Sequence, residues 1–327
     1  MADKRFLDAI HDALHEELAR DDRTVVLGED VGRKGGVFGV TEGLYEKFGE
    51  DRVLDTPLAE SMIVGVSIGM AVNGLIPVPE IQFADFIHPA FDQILSEAAR
   101  LRYRSNNDFG CPIAIRVPYG GGVHGALYHS QSVEAFYAHI PGLKVVVPYT
   151  PADAKGLLKA AIRDPDPVLY FEHKKMYRLV RGDVPDGDHV VPIGPAVVRR
   201  SGRDLSIFAY GLMVHESLGA AEALSREGIE AEVVDVRTLR PLDTRTLLDS
   251  VARTSRALIV HEDNRFGGFG AEIAATIAEE GFRHLDAPPT RLGGPEIPAV
   301  PFSAPFEDWF MLNAEKIAAA ARRLVAY

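Results

Sequence analysis

A single cysteine, Cys111, is present among 327 residues. No disulfide can close within the chain, and no C-x-x-C pair or zinc-ligand spacing occurs. Internal cross-links and a structural zinc site are excluded, and a reducing compartment is the expected setting. Long apolar runs are missing too. No stretch of about 18 apolar residues is uninterrupted, so no membrane-spanning helix is expected. Positive charge is scarce: Lys and Arg total 35 against 47 Asp and Glu, a net charge of −12. That sign argues against a broad nucleic-acid interface and against docking on anionic lipid. It suits a soluble protein or a basic protein partner. The opening segment, MADKRFLDAIHDALHEELARDD, mixes acids with bases and has no continuous apolar core. It reads as an amphipathic helix, neither signal nor transit peptide, and a cytoplasmic location is expected.

What is present is alternation. Residues 4–20 read as a helix with Phe6, Leu7, Ile10, Leu14 and Leu18 on one face. Residues 24–28 (TVVLG) read as a buried strand, 59–74 as a buried helix, 76–81 as a strand and 86–101 as a helix. Residues 113–117, 144–147 and 168–171 complete a set of strands rich in branched residues. Such strands between helices indicate a parallel sheet covered on both faces. The polar segment 181–188 (RGDVPDGD) reads as a linker, giving domains 1–185 and 186–327. Beyond it the alternation restarts, with strands at 205–210, 231–236 and 257–261 and helices at 214–227, 244–253 and 271–280. A final helix is expected near 313–325. The fold class is therefore α/β, two three-layer domains with mostly parallel sheets.

Several segments in fixed order carry a resemblance: GEDVG at 28–32, GGVFGVTEGL at 35–44, DRVLDTPLAE at 51–60, PEIQFADFIHPAFDQI at 79–94, HGALYHSQSVEAFYAHIPGLKVVVP at 124–148, DAKGLLKAAIRDPDPVLYFEHKKMYR at 153–178 and VDVRTLRPLD at 234–243. Together they resemble the E1 β subunits of 2-oxo acid dehydrogenase complexes, and HGALYHSQS looks most like the branched-chain members. The resemblance implies a transketolase-like fold, with a pyrimidine-binding domain followed by a transketolase C-terminal domain. It also implies an α2β2 heterotetramer with an E1 α subunit, thiamine diphosphate at α/β interfaces, and transfer of an acyl group from a 2-oxo acid to the lipoyl group of an E2 acyltransferase.

The same resemblance assigns roles to residues. Glu60, closing DTPLAE, matches the family carboxyl that bonds the cofactor's pyrimidine ring. It opens an apolar helix, where desolvation favours a protonated, donating carboxyl. The plainer reading is an acid favoured by a helix N-terminus. Gln82 and Phe86 match positions lining the aminopyrimidine, Gln by hydrogen bonding and Phe by stacking. Many branched-chain relatives carry Tyr in place of Phe86, and core packing is the alternative role here. Leu58 is expected near the bent cofactor. His129, in YHSQS, is implied beside the substrate carboxylate and the incoming lipoyl group, or else is a structural hydrogen-bonder. His124 has no assigned chemistry, and Tyr103 and Arg104 are open between substrate and subunit contact.

The stretch AAIRDPDP resembles a structural monovalent cation site, K⁺ in kind, with Ile113, Ala161, Ile162, Asp164 and Asp166 as ligand positions. Asp166 stands where Asn is common, and D-P-D-P is also a strong turn sequence by itself. Single-chain thiamine enzymes carry Gly-Asp-Gly with a downstream Asn to hold Mg²⁺ and the diphosphate. Here the Gly-Asp pairs at Gly182 and Gly187 lack a following glycine, and Asn106-Asn107 has no such upstream partner. The Mg²⁺ ligands are expected on the α subunit. GGFGAE at 267–272 lacks the full G-x-G-x-x-G and reads as a tight strand-to-helix turn. The C-terminal domain is expected to dock E2, with Glu307 and Asp308 either in that surface or simply solvated. A branched-chain 2-oxo acid is the expected substrate, pyruvate and acetoin the alternatives. A non-catalytic E2-binding scaffold is the reading from another class.

Overall fold

The computed structural model describes every residue from Met1 to Tyr327. It divides into two units, Met1–Tyr119 with Phe136–Ile193, and Gly120–Ala135 with Gly194–Tyr327. No helix is long and apolar enough to cross a membrane.

The first unit carries β1 (Ala2–Arg5), β2 (Thr24–Gly28), β3 (Val53–Asp55), β4 (Ile76–Glu80), β5 (Ala114–Tyr119), β6 (Lys144–Val146), β7 (Val168–His173) and β8 (Arg181–Val184). Six of these run parallel in the order β6-β7-β5-β4-β2-β3. Every residue of β2, β4, β5 and β7 is buried. That is why they read as unbroken apolar runs: a parallel sheet is covered on both faces. The helix Phe6–Arg20 buries Phe6, Ile10 and Leu14 and packs on the helix Pro151–Ile162. Thr150 caps the second of these, its Oγ1 accepting from the amide of Asp153 at 3.0 Å, with Pro151 in the first turn where no amide is needed. Salt bridges join the pair: Lys155 and Lys159 reach Glu16 at 2.6 and 2.7 Å.

A charged cluster lies inside this sheet. The Arg116 guanidinium is fully buried. It donates to Glu172 through Nε (2.6 Å) and Nη2 (2.8 Å), and to Glu80 through Nη1 (2.5 Å). Tyr177 adds its hydroxyl to Glu172 at 2.7 Å. Glu80 and Arg116 face each other in the β4–β5 register. Burial pushes the Glu80 carboxyl above its ordinary range, against the pull of Arg116.

The second unit contains β9 (Val197–Arg200), β10 (Leu205–Ala209), β11 (Ala231–Asp235), β12 (Thr238–Arg240), β13 (Ala257–Asn264) and β14 (Thr290–Gly294). Its sheet runs β14-β13-β10-β11-β9, parallel except for β9. Both units are thus α/β with mostly parallel sheets, as expected.

Three expectations change. The segment 181–188 is not all linker: β8 pairs antiparallel with β1, Arg181 opposite Arg5 and Val184 opposite Ala2. A surface ribbon needs backbone pairing but no apolar face, so a polar, Gly-containing segment can form it. Gly120–Ala135, expected within the first domain, groups with the second. Residues 86–101 are not one helix. They form turns at Ala84–Phe86 and His88–Ala90, a π-helix at Gln93–Ala98 and a short helix at Leu101–Arg104. Pro89 removes an amide donor early in that run.

Replacing Arg116 with Met is expected to strand two buried carboxylates and cost about 3–5 kcal/mol of stability. Arg116→Lys should recover only part of this, because an ammonium cannot make the paired bonds to Glu172. Urea unfolding of the three proteins checks it, and an unchanged midpoint for Arg116→Met would refute the role given to the cluster.

Candidate active site

Ligands of open α/β sheets bind beyond the carboxyl ends of the strands. At that edge of the first unit, β2 and β3 end side by side, Gly28 opposite Asp55. A Cβ on Gly28 would lie 2.8 Å from the Glu80 carbonyl oxygen, so only glycine lets β2 close against β4 here. Next along the chain, Glu29 lies within electrostatic reach of Glu60. Burial, with the carboxylates of Asp30 and Glu60 nearby, holds the Glu29 carboxyl above its ordinary value. The Asp55 carboxylate accepts from the amides of Gly32 (2.6 Å) and Arg33 (3.2 Å), tying the GEDVG turn to the DTPLAE segment.

Glu60 opens the helix Glu60–Val72 and is half-buried. Gln82 follows β4 by two residues. Its Nε2 is buried without a hydrogen-bond partner, as is Oε1 of Gln93. Phe86 is half-buried, set edge-on to Phe83 with ring centroids 6.2 Å apart. The helix from Glu60 packs against the turn His88–Ala90 and the π-helix Gln93–Ala98 that follow Phe86. Leu58 is 70% exposed. Tyr103 is exposed, and Arg104 is paired with Glu97.

The helix Glu60–Val72 departs from expectation. It is apolar all round, yet Gly65, Val66, Gly69 and Val72 form an exposed face. A helix of that composition is normally enclosed, so this face belongs against another surface. Sequence reading missed it. The signal was two glycines four residues apart in a run otherwise apolar enough to be core. Glu29 was missed as well, although it lies in a quoted motif.

The five residues of the expected cation site also come together, at the other edge of the sheet. Ile113 immediately precedes β5, and 161–166 immediately precede β7. The Ile113 carbonyl accepts from the Val168 amide at 2.9 Å, and the Ala161 carbonyl from Asp164 at 3.3 Å. Both carboxylates are already neutralised: Asp164 by Lys144 at 2.6 Å and Asp166 by Arg102 at 2.5 Å. What remains for an ion are carbonyl lone pairs, a donor set for a weakly held monovalent cation rather than a divalent one.

His129 lies in the second unit, in the loop from Gly120 to Ser132, and is half-buried. The loop closes at its neck, where the Gly120 amide donates to the Gln131 carbonyl at 3.1 Å. Two carboxylates hold it. Glu262 Oε1 accepts from the Gly121 amide (2.6 Å) and the Ser132 hydroxyl (3.3 Å). Glu307 accepts from the Gly122 amide (2.8 Å) and the His124 amide (3.2 Å), and His124 Nδ1 lies 2.5 Å from its Oε2. Glu307 is 1% exposed. This corrects its assignment to an E2-facing or solvated surface: in the helix Ala304–Phe310, Glu307 points inward while Phe306 and Trp309 are exposed.

Further buried ionisable groups surround β13. The Tyr210 hydroxyl donates to Glu134 at 2.7 Å. Burial, with Asp263 contributing, pushes the Glu134 carboxyl up to about 8. Burial raises Asp263 as well. The His261 imidazole stacks on Tyr210 and is pushed down to about 4 by burial and Arg291.

Residues 4–180 match the family described as transketolase, pyrimidine binding domain, and residues 194–317 match transketolase, C-terminal domain. The chain is 58% identical to the 2-oxoisovalerate dehydrogenase subunit beta of Bacillus subtilis (strain 168), over 98% of each chain. It is 47% identical to the pyruvate dehydrogenase E1 component subunit beta of the same organism, over the full length of both. Among solved structures it resembles a split gene transketolase, an inactive beta4 tetramer, with a TM-score of 0.79 and 25% identity over 98% of each chain.

Glu134, raised from 4.5 to about 8, holds in the folded chain a proton that the unfolded chain releases. Its contribution to stability is complete below pH 4.5 and lost as pH rises through about 8. His261, lowered from 6.5 to about 4, acts oppositely, losing stability as pH falls below 6.5. Between pH 6.5 and 8 the joint effect of the coupled carboxyls Glu134 and Asp263, both raised by burial, therefore stands clear of the histidine. The urea midpoint is expected to fall across that window, and Glu134→Gln to fall less. Equal slopes for the two proteins would count against the buried, protonated carboxyl.

Proposed function

Since the chain belongs to the transketolase-like β subunits of the E1 components of 2-oxo acid dehydrogenase complexes, we propose that it supplies the pyrimidine side of a thiamine diphosphate site completed by an α subunit. The observation that carries this reading is the match of residues 4–180 to the transketolase pyrimidine binding domain, with Gln82 two residues beyond β4 at the carboxyl edge of its sheet. A side-chain amide can pair with the edge of a pyrimidine ring. Phe86 offers its ring face to the same heterocycle.

When bound, thiamine diphosphate supplies the electron sink for decarboxylation. The chain's own residues orient and polarise it. Half-buried at the start of its helix, Glu60 would hydrogen-bond the pyrimidine ring nitrogen. Glu29, already raised by burial beside Glu60, keeps a second carboxyl near the same ring. Leu58, exposed in this chain, would pack near the bound cofactor. His129 faces the substrate carboxylate and the lipoyl group. The diphosphate and Mg²⁺ fall to the α subunit, in keeping with the missing Gly-Asp-Gly. The turn of Ile113, Ala161, Ile162, Asp164 and Asp166 takes K⁺ in a structural role, since it sits at the opposite sheet edge from Glu60.

The substrate is a branched-chain 2-oxo acid, a reading supported by the greater identity with the 2-oxoisovalerate relative and by HGALYHSQS. The acyl group passes to the lipoyl group of an E2 acyltransferase docked on the C-terminal domain. Decarboxylation is expected only when the chain is co-assembled with its α subunit, thiamine diphosphate and Mg²⁺, and to be faster with 3-methyl-2-oxobutanoate than with pyruvate. Glu60→Gln should lower kcat by about 100-fold or more with the tetramer intact. Activity of the isolated chain would overturn the shared site, and preference for pyruvate would overturn the substrate.

Gly65→Leu places a bulky side chain on the exposed helix face. Analytical ultracentrifugation is expected to show loss of the α2β2 species while the chain itself stays folded by circular dichroism. Normal assembly of that variant would mean the α subunit binds elsewhere.

A further inference from the structure

We infer that Glu307 is a positioning residue for His129: a buried carboxylate that holds the Gly120–Ser132 loop in the one shape that presents the imidazole. The inference rests on the proposed role of His129 beside the substrate. Nothing in the sequence marked Glu307 for it, since the residue lies far along the chain in a helix with exposed aromatics.

The geometry is specific. A carboxylate at 1% exposure must be hydrogen-bonded to be tolerated. Glu307 meets that need entirely with donors from one short stretch, the Gly122 amide, the His124 amide and His124 Nδ1. A carboxylate only accepts, so Nδ1 carries the proton in this pair. The stretch it grips has an unfavourable backbone: His124 and Ala126 both adopt positive φ, 58° and 56°. Non-glycine residues rarely hold that conformation without external support. Charge-assisted bonds to the carboxylate, stronger than neutral ones, supply it.

Past this point the loop folds back on itself. The His129 amide donates to the Ala126 carbonyl at 3.4 Å, and Gln131 Nε2 to the Leu127 carbonyl at 3.1 Å. Gly125 lies directly against His129; a Cβ there would sit 2.6 Å from the His129 carbonyl oxygen and 2.8 Å from its Cβ. The φ values at 124 and 126, held beside the Glu307 contacts, thus set the course of the loop toward His129. Glu262 secures the neck of the same loop independently. Loss of Glu307 alone should thus loosen the crown of the loop without releasing its ends.

The test is a double-mutant cycle in the assembled α2β2 protein, read as reductive acylation of a free lipoyl domain. Thiamine diphosphate affinity and tetramer mass are measured alongside. Glu307→Gln places an amide NH₂ where three donors converge. It is expected to lower kcat for acylation at least tenfold, with cofactor affinity within about twofold of wild type and the tetramer intact. His129→Ala should lose as much or more, and the double variant should be no worse than His129→Ala, because both losses run through one imidazole. Additive losses would overturn the inference, as would a parallel fall in cofactor affinity or assembly, which marks a merely structural residue. Full activity of Glu307→Gln beside an impaired His129→Ala overturns the clamp and leaves the site reading standing. A wild-type-like His129→Ala overturns both. If Glu307→Gln fails to fold, Gly125→Ala disturbs the same seat from the other side and is judged by the same non-additivity.

Discussion

A guanidinium with no access to water has to be matched by carboxylates, and in the first unit Arg116 is matched by two, Glu172 and Glu80. The match spans three adjacent strands, because β5 carries the cation while β7 and β4 carry the acids. It fixes their relative positions more narrowly than apolar packing does, since hydrogen bonds are directional and a one-residue slip would separate the charges. The carboxyl end of β4 inherits that precision. Glu80 is bound to Arg116, Ile81 donates its amide to the Arg116 carbonyl at 3.0 Å, and Gln82 comes next. Gln82 is thus held two positions from the buried charge cluster of the sheet.

The two edges of that sheet do different work. At the carboxyl edge the strands end in acids, an unpartnered amide and an aromatic ring, with an apolar helix left partly bare beside them. At the amino edge, Lys144 and Arg102 neutralise the carboxylates of the turn before β7. A surface with unmet polar and apolar groups is built to be completed; a balanced one is built to stay as it is. The second unit adds the same device by other means: two buried carboxylates, Glu262 and Glu307, shape a loop whose own backbone preferences run against its conformation.

Periodicity made both α/β units legible, because strands covered on both faces must be apolar throughout and the helices between them need only one apolar face. The order of the motifs made the family legible, and Glu60, Gln82, Phe86 and His129 were proposed through it. Other features left weaker marks. The 86–101 region was read as a single helix because its apolar spacing is helical, and Pro89 was given too little weight. The ribbon of β1 and β8 escaped because pairing at a surface needs no hydrophobic pattern. The open face of Glu60–Val72 escaped because composition reports how apolar a helix is and not what covers it.

Sequence alone determined the local choices: where strands and helices form, which residue types stand at the ends of strands, and the missing Gly-Asp-Gly. Those depend on side-chain chemistry within a few residues of each position. Only the tertiary structure decided which groups meet across long separations. Glu307 read as an acid of an E2-facing or solvated surface and proved to be a buried acceptor for amides some 183–185 residues earlier. Gln82 was expected along the aminopyrimidine from its motif, but only the fold showed its amide donor shut away from water. Burial and partnership are properties of the folded surroundings, because desolvation is set by every atom that packs around a group and not by its neighbours in the chain.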